Sequence, residues 1–204
     1  MFRRKFTLWY GNTNVASFNT SFLINIFPQN NTHGEGLAFL IAPTIHIPEN
    51  IYGQYLGLTN ASIDNQTTNV IVAVELDTFK QPFDIDNNHI RLNIHSIRSV
   101  VSKPLTLENI TLVPDASTPS FHNIWIQYDG VEKIIRVYIA GQPEKTSPTP
   151  PMPETPIIQY NLDLRKMVNR DSYIGFATST GIQTQLNCVL QWNITVEYIV
   201  GIQW

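Results

Sequence analysis

Two carboxylates stand two residues apart inside an apolar run, Val70-Ile71-Val72-Ala73-Val74-Glu75-Leu76-Asp77-Thr78-Phe79. Alternate residues of a strand share a face, so Glu75 and Asp77 project together, roughly 7 Å apart. Carboxylates in an apolar strand are costly unless paired, hydrogen-bonded or bound to metal. Asp84, Asp86, Asn87, Asn88 and His89 follow closely. Two acids, a short polar loop and an imidazole together point to a divalent-cation site. An EF-hand reading of residues 84–88 fails, because the required glycine and terminal glutamate are absent. A retaining glycosidase needs two carboxyl groups flanking the scissile bond. Glu75-Leu76-Asp77 supplies the first part of such a pattern, but Thr78-Phe79-Lys80 adds no second acid. No Ser-His-Asp motif accompanies the histidines; His89 reads as a ligand and His95 as a surface residue. The chain is expected not to be an enzyme.

These residues need a scaffold, and composition limits what it can be. The 204 residues are 43% hydrophobic, enough for one sizeable core. Charged residues are only 14%, so Asn, Thr, Ser and Gln carry the polar surface. A net charge of −3 and no Lys/Arg run argue against nucleic acid as a partner. Cys188 is the only cysteine, so no intrachain disulfide forms, which by itself favours the cytosol. Six Asn-x-Ser/Thr triplets, opening at Asn19, Asn30, Asn60, Asn65, Asn109 and Asn193, argue the other way, for a secreted glycoprotein or a cell-surface ectodomain. The reading of the N-terminal residues predicts no signal peptide before the first strand, and no apolar run is long enough to span a membrane as a helix.

The pattern along the chain is nearly all β. Phe18, Thr20, Phe22, Ile24 and Ile26 alternate with Asn19, Ser21, Leu23 and Asn25, a half-buried strand with the Asn19 triplet outward. Gly36 to Ala42 is a continuous apolar run stopped by Pro43, which predicts a central strand. His122, Ile124, Ile126 and Tyr128 lead into Asp129-Gly130, a hairpin signal, with Ile135, Val137 and Ile139 returning. Residues 142–156 hold six prolines and form a surface loop within a single domain spanning 1–204. Residues 161–167 predict a short helical turn. In the last strand Cys188, Leu190, Trp192, Ile194, Val196 and Tyr198 share one side, so Cys188 reads as a small buried hydrophobe. Many short strands at this spacing predict an all-β sandwich or jelly roll.

Several motifs in series carry a resemblance. Ala16 to Phe22, Gly34 to Phe39, Tyr55-Leu56-Gly57-Leu58, Val72 to Phe79, His95 to Ser99, Ile174 to Gly181 and Val189 to Trp192 resemble, in order, the legume-type lectins. The Glu35 form of the glycine motif and Leu186 to Val189 look closest to ectodomains of plant lectin receptor-like kinases. The resemblance implies a concanavalin-like jelly-roll sandwich of antiparallel sheets. Phe6 to Trp9 resembles a strand that the family reaches after two earlier strand segments, so the N-terminal part looks abbreviated, with a sheet edge exposed.

The resemblance also implies ligands. A transition metal, usually manganese (Mn2+), would be held by Glu75, Asp77, Asp84 and His89, with Ser99 touching it through water. Calcium (Ca2+) would be held by Asp77, Asp84, the backbone oxygen of Phe79 and the side chain of Gln81. The family's sugar site would use Glu35 as acidic acceptor after a cis peptide, position 54 as a backbone donor, position 81 as an amide and Phe79 as an aromatic plate. Gln183 and Thr184, on the loop after Gly181, would line a remodelled site. Three of these anchors differ in kind: Glu35 stands for an aspartate, Gln54 for a glycine and Gln81 for an asparagine. A sugar hydroxyl that loses its partner costs about 1–3 kcal/mol, so the expectation is a lectin-like domain with an altered, weakened sugar and calcium site. Its partner would be a glycan or cell-wall carbohydrate, with homodimers forming through the back sheet. The competing expectation is a metal-free scaffold of the same fold binding protein, peptide or an apolar ligand.

Overall fold

A computed structural model describes residues 1–11, 14–28, 33–46, 49–114, 119–179, 181 and 183–197. The Asn30 triplet and Tyr198 lie outside the described residues. The strands are β1 (Phe6–Thr7), β2 (Trp9–Tyr10), β3 (Asn14–Val15), β4 (Ser17–Pro28), β5 (Gly36–Ala42), β6 (Val72–Asp77), β7 (His89–Ile94), β8 (Val101–Pro104), β9 (Phe121–Asp129), β10 (Ile134–Gln142), β11 (Ile158–Asn161), β12 (Asp171–Thr178) and β13 (Gln185–Glu197). One helical turn, α1 (Leu164–Met167), sits where the sequence places it. A six-stranded sheet runs β1-β12-β5-β6-β7-β8 and a five-stranded sheet runs β11-β10-β9-β4-β13, with every described pairing antiparallel. The result is an all-β, antiparallel jelly-roll sandwich, as the alternation predicts.

The core lies between the sheets. Phe18, Phe22, Ile24 and Ile26 of β4 are buried in it, while Asn19 is exposed. Phe22 stacks on Phe39 of the opposite sheet at 5.9 Å between centroids, and Phe176 meets Phe22 and Trp192 edge-on at 4.9 and 4.8 Å. Every residue of β5 is buried because both of its faces are covered. Leu37, Phe39 and Ile41 join the main core, whereas Ala38, Leu40 and Ala42 join a second cluster with Leu56, Leu58, Ile71 and Ala73. A strand buried on both sides has no reason to alternate, which explains the continuous apolar run.

The same logic sets the faces of β6 and β7. Val72, Val74, Leu76, Ile90 and Leu92 enter the main core. Alternation then sends Ala73, Glu75 and Asp77, with His89, Arg91 and Asn93, to the outer face of the six-stranded sheet. Register places Glu75 opposite Arg91 and Asp77 opposite His89.

Two local features differ from the simple strand pattern. The β9–β10 hairpin is longer than a two-residue turn: Asp129 accepts hydrogen bonds from the amides of Val131 and Glu132 at 2.8 and 2.9 Å, and pairing resumes at Ile134. In β13 the register shifts between Val189 and Gln191. That irregularity reverses the phase, so Val189 packs on the core, with Trp192, Ile194 and Val196 beyond the shift. Cys188 is consequently only half-buried, and Leu186 stands 53% exposed.

The 142–156 loop is anchored by the buried Gln142. Its amide donates to the carbonyls of Glu144, Lys145 and Ser147, and its oxygen accepts from Asn123 at 2.7 Å. Among the described residues no helix is long and apolar enough to cross a membrane.

His122 gives the fold a pH dependence. Burial pushes its imidazole down to about 4, although the Thr111 carbonyl favours the protonated form. The unfolded histidine titrates near 6.5. Between those values the unfolded chain takes up a proton that the folded chain refuses. This contribution to stability is therefore complete above pH 6.5 and falls by up to about 3 kcal/mol as the pH drops to 4. His122→Gln is expected to flatten the pH dependence of urea unfolding by that amount; unchanged dependence would contradict this account.

Candidate functional site

The outer-face cluster of β6 and β7 is closed by the loop that joins them. Glu75, Asp77 and His89 are buried, with exposures of 1%, 2% and 0%. The structure brings together Glu75, Asp77, Asp84 and His89, the four side chains that the family resemblance implies for a transition metal. Ligand atoms of Asp77, Asp84 and His89 lie within 4.8 Å of one another. Nε2 of His89 has no hydrogen-bond partner and faces Asp77 Oδ2 at 3.8 Å and Asp84 Oδ1 at 4.0 Å. Its other nitrogen contacts Asp86 Oδ1 at 3.1 Å.

A fifth residue changes what this cluster is. Arg91, 2% exposed, lays its guanidinium among the carboxylates. Its Nε donates to Glu75 Oε2 at 2.8 Å and its Nη2 to Glu75 Oε1 at 2.7 Å, a bidentate fork. Nη2 also lies 2.9 Å from Asp77 Oδ2, and Nη1 donates to Asp84 Oδ1. Asn93 adds a donor to Glu75 Oε2. Both oxygens of Glu75 are thus engaged, and each of the three acids gives at least one oxygen to one arginine. Burial opposes the charge on Arg91, but its bonds and proximity to Glu75, Asp77 and Asp84 outweigh that and raise its pKa.

The remaining groups respond to the same field. Burial raises the Asp77 carboxyl well above the usual range, and repulsion from Glu75 adds to it. Burial lowers His89, and the neighbouring guanidinium lowers it further. An imidazole held neutral keeps the lone pair on Nε2 that a metal would use. The carboxylate partners, however, already serve Arg91. A divalent ion and a guanidinium about 5 Å apart repel by roughly 7 kcal/mol at an effective dielectric of about 20. An ion has to displace the arginine to enter.

The expected calcium ligands diverge further. Gln81 turns its amide to the rim, donating to Glu35 Oε2 at 3.1 Å, while its backbone amide donates to Asp84 Oδ2 at 2.8 Å. Asp77 Oδ1 accepts from the Phe79 amide at 2.8 Å. Ser99, expected to touch the transition metal through water, pairs instead with Ser102 at 2.7 Å. With Glu75, Asp77 and Asp84 held by Arg91 and Gln81 directed to Glu35, the residues as placed do not fit the calcium–manganese pair.

Of the expected sugar-site residues, Glu35 and Gln81 meet directly. Glu35 is 9% exposed, and burial raises its carboxyl, with Glu75 and Asp84 repelling it. Its Oε1 presses against Gly181 so closely that a Cβ there would overlap it, and Gly53 lies on the same side. Gln54 belongs to the short helical turn Gly53–Tyr55, tied in by Ser179 Oγ donating to the Gly53 carbonyl at 2.8 Å. Phe79 is half-buried beside the loop, and Gln183 half-buried on the approach to β13. No described peptide bond is cis, including the one before Glu35. His95 is not a free surface residue: its Nδ1 contacts the Asn69 carbonyl at 2.7 Å.

Sequence reasoning missed Arg91, Asn93 and the glycines at 53 and 181. Arg91 had a signal: it shares the outer face with His89, and strand pairing sets it against the acidic strand.

The profile of the Legume lectin domain family matches residues 1–200. "Probable L-type lectin-domain containing receptor kinase V.3" of Arabidopsis thaliana is 33% identical over 199 residues, covering 93% of this chain and 29% of that protein. "Probable inactive L-type lectin-domain containing receptor kinase III.1" of the same plant is 30% identical over 193 residues, covering 91% and 30%. The chain thus spans under a third of the length of these curated relatives. Among solved structures, the Lotus tetragonolobus seed lectin aligns with a TM-score of 0.80 at 26% identity, over 98% of this chain and 81% of that one. Its order of strands, its outer-face acidic cluster and these relatives agree: this chain belongs to the legume lectin domain family.

Proposed function

We propose that this domain recognises carbohydrate at the rim where Glu35 and Gln81 meet, with Phe79, Gln54 and Gln183 on the flanking loops. The observation that carries the reading is Glu35, an acidic acceptor held by Gln81 and close against Gly53 and Gly181 of two other loops. A carboxylate accepts sugar hydroxyls, the amides donate to ring and hydroxyl oxygens, and the Phe79 ring suits the apolar face of a pyranose. Glu35 is mostly buried, so a single sugar unit reaches little of its carboxyl and affinity for one unit is low. A glycan or cell-wall oligosaccharide bound extracellularly, at the cell surface, suits a domain whose relatives carry receptor-kinase names. The reading is non-enzymatic: Glu75 is sealed beneath Arg91 and Asn93, where it cannot flank a glycosidic bond.

A glycan array, run with and without chelator, tests this. The expected outcome is binding that survives chelation and falls at least about tenfold in Glu35→Gln, the loss of one charged hydrogen bond. Failure on every glycan would overturn the reading.

A second reading has its own observation. A cavity of about 500 Å3 opens on the outer face of the six-stranded sheet, lined by Leu40, Ile45, Ile51, Leu58, Ile71 and Phe176 among others. That volume is within the ordinary range for small-molecule sites. Saturable binding of an apolar fluorescent probe, unaffected by glycans, would support an apolar ligand instead. Homodimers through the five-stranded sheet, whose edge strand is β13, are a further part of the proposal, tested by sedimentation.

A further inference from the structure

We infer that Arg91 is the resident cation of this rim: its guanidinium organises the β6–β7 loop and, through it, Glu35, so that the rim is held without divalent metal. The inference is independent of which ligand the rim takes.

The hydrogen bonds form one continuous path. Arg91 anchors Glu75 and Asp77 on the sheet and Asp84 on the loop. Asp84 fixes the backbone amide of Gln81, and the Gln81 side chain fixes Glu35. Asp77 fixes the start of the loop through the Phe79 amide. The Phe83 ring lies within cation–π reach of two guanidiniums, with Arg91 Cζ at 5.9 Å and Arg98 Cζ at 5.3 Å from its centroid.

The geometry requires an arginine. A planar fork of five N–H donors can grip one carboxylate bidentately and still reach two more. A lysine ammonium has three donors from one point and cannot span the cluster. Arginine also stays charged at every pH the protein meets, so the rim does not depend on the supply of an ion. A glycine at position 91 would open the centre of the cluster while leaving Glu75, Asp77, Asp84 and His89 in place. That donor set, carboxylates plus one imidazole, suits manganese.

The test compares wild type with Arg91→Gly, titrating Mn2+ by electron paramagnetic resonance and following Tm with Mn2+ or chelator. Wild type is expected to take up no stoichiometric Mn2+ and to keep its Tm in chelator. Arg91→Gly is expected to bind one Mn2+ per chain, and saturating Mn2+ should raise its Tm by about 5 °C or more. A residue that merely packed would not confer metal rescue on its glycine variant. Stoichiometric Mn2+ or Ca2+ in wild type, a chelator-sensitive wild-type Tm, or a folded Arg91→Gly that takes no ion would each overturn the inference. If Arg91→Gly folds only when Mn2+ is present, that supports it. If it folds under neither condition, the wild-type titration and chelator scan decide.

Discussion

Arg91→Met is expected to lower the free energy of unfolding by about 3–5 kcal/mol, measured by urea denaturation in chelator. Methionine keeps most of the aliphatic volume, so the loss is electrostatic. Glu75 and Asp77, nearly inaccessible to solvent, would remain in place without their cation. A buried charge stripped of its partner is far more costly than a buried pair replaced whole. The double variant Glu75→Leu/Arg91→Met should therefore recover part of the loss, and the coupling between the two positions should exceed about 1 kcal/mol. Additive losses, or a single-variant loss below about 1 kcal/mol, would show that Arg91 is not the counter-charge of this cluster.

Gly36→Ala is expected to cost a similar amount, about 3–5 kcal/mol, from backbone strain together with overpacking. Gly36 has φ of +114°, and a Cβ there would overlap the Leu76 carbonyl of the neighbouring strand. Gly36 pairs with Asp77 at the start of β5, directly after Glu35. Relieving the overlap means separating β5 from β6 at the end that carries both the rim acid and the acidic pair. The same variant should therefore weaken rim binding as well as stability. A loss under about 1 kcal/mol with binding intact would mean that the strands separate freely there.

Much of the fold was legible in the sequence because burial on one face writes itself as a period of two. β4 shows it, with Phe18, Phe22 and Ile24 inward and Asn19 outward. β5 shows the opposite pattern, since a second apolar cluster covers its outer face. What the pattern could not show was a change of phase. The irregularity between Val189 and Gln191 leaves no mark in an all-apolar stretch, and Cys188 was misplaced because of it.

The candidate site was half legible. Spacing alone predicts that Glu75 and Asp77 share a face and that His89 follows at the other side of the loop. The position of Gln81 was not legible, because a longer amide can point to the calcium side or to the rim. Only the packed loop shows it reaching Glu35. Arg91 was the costlier omission. A charged residue between Ile90 and Leu92, both in the core, has to face outward, and the outward face is the acidic one. Arg91 stands two residues beyond His89 on the same face, and its guanidinium completes the cluster.

The most direct measurement is a crystal structure grown with both Ca2+ and Mn2+, with anomalous data collected at the manganese edge. The account predicts the Arg91 guanidinium seated among Glu75, Asp77 and Asp84, and no anomalous peak beside His89 Nε2. A manganese peak bridging Asp77, Asp84 and His89, with Arg91 swung away from the carboxylates, would contradict it.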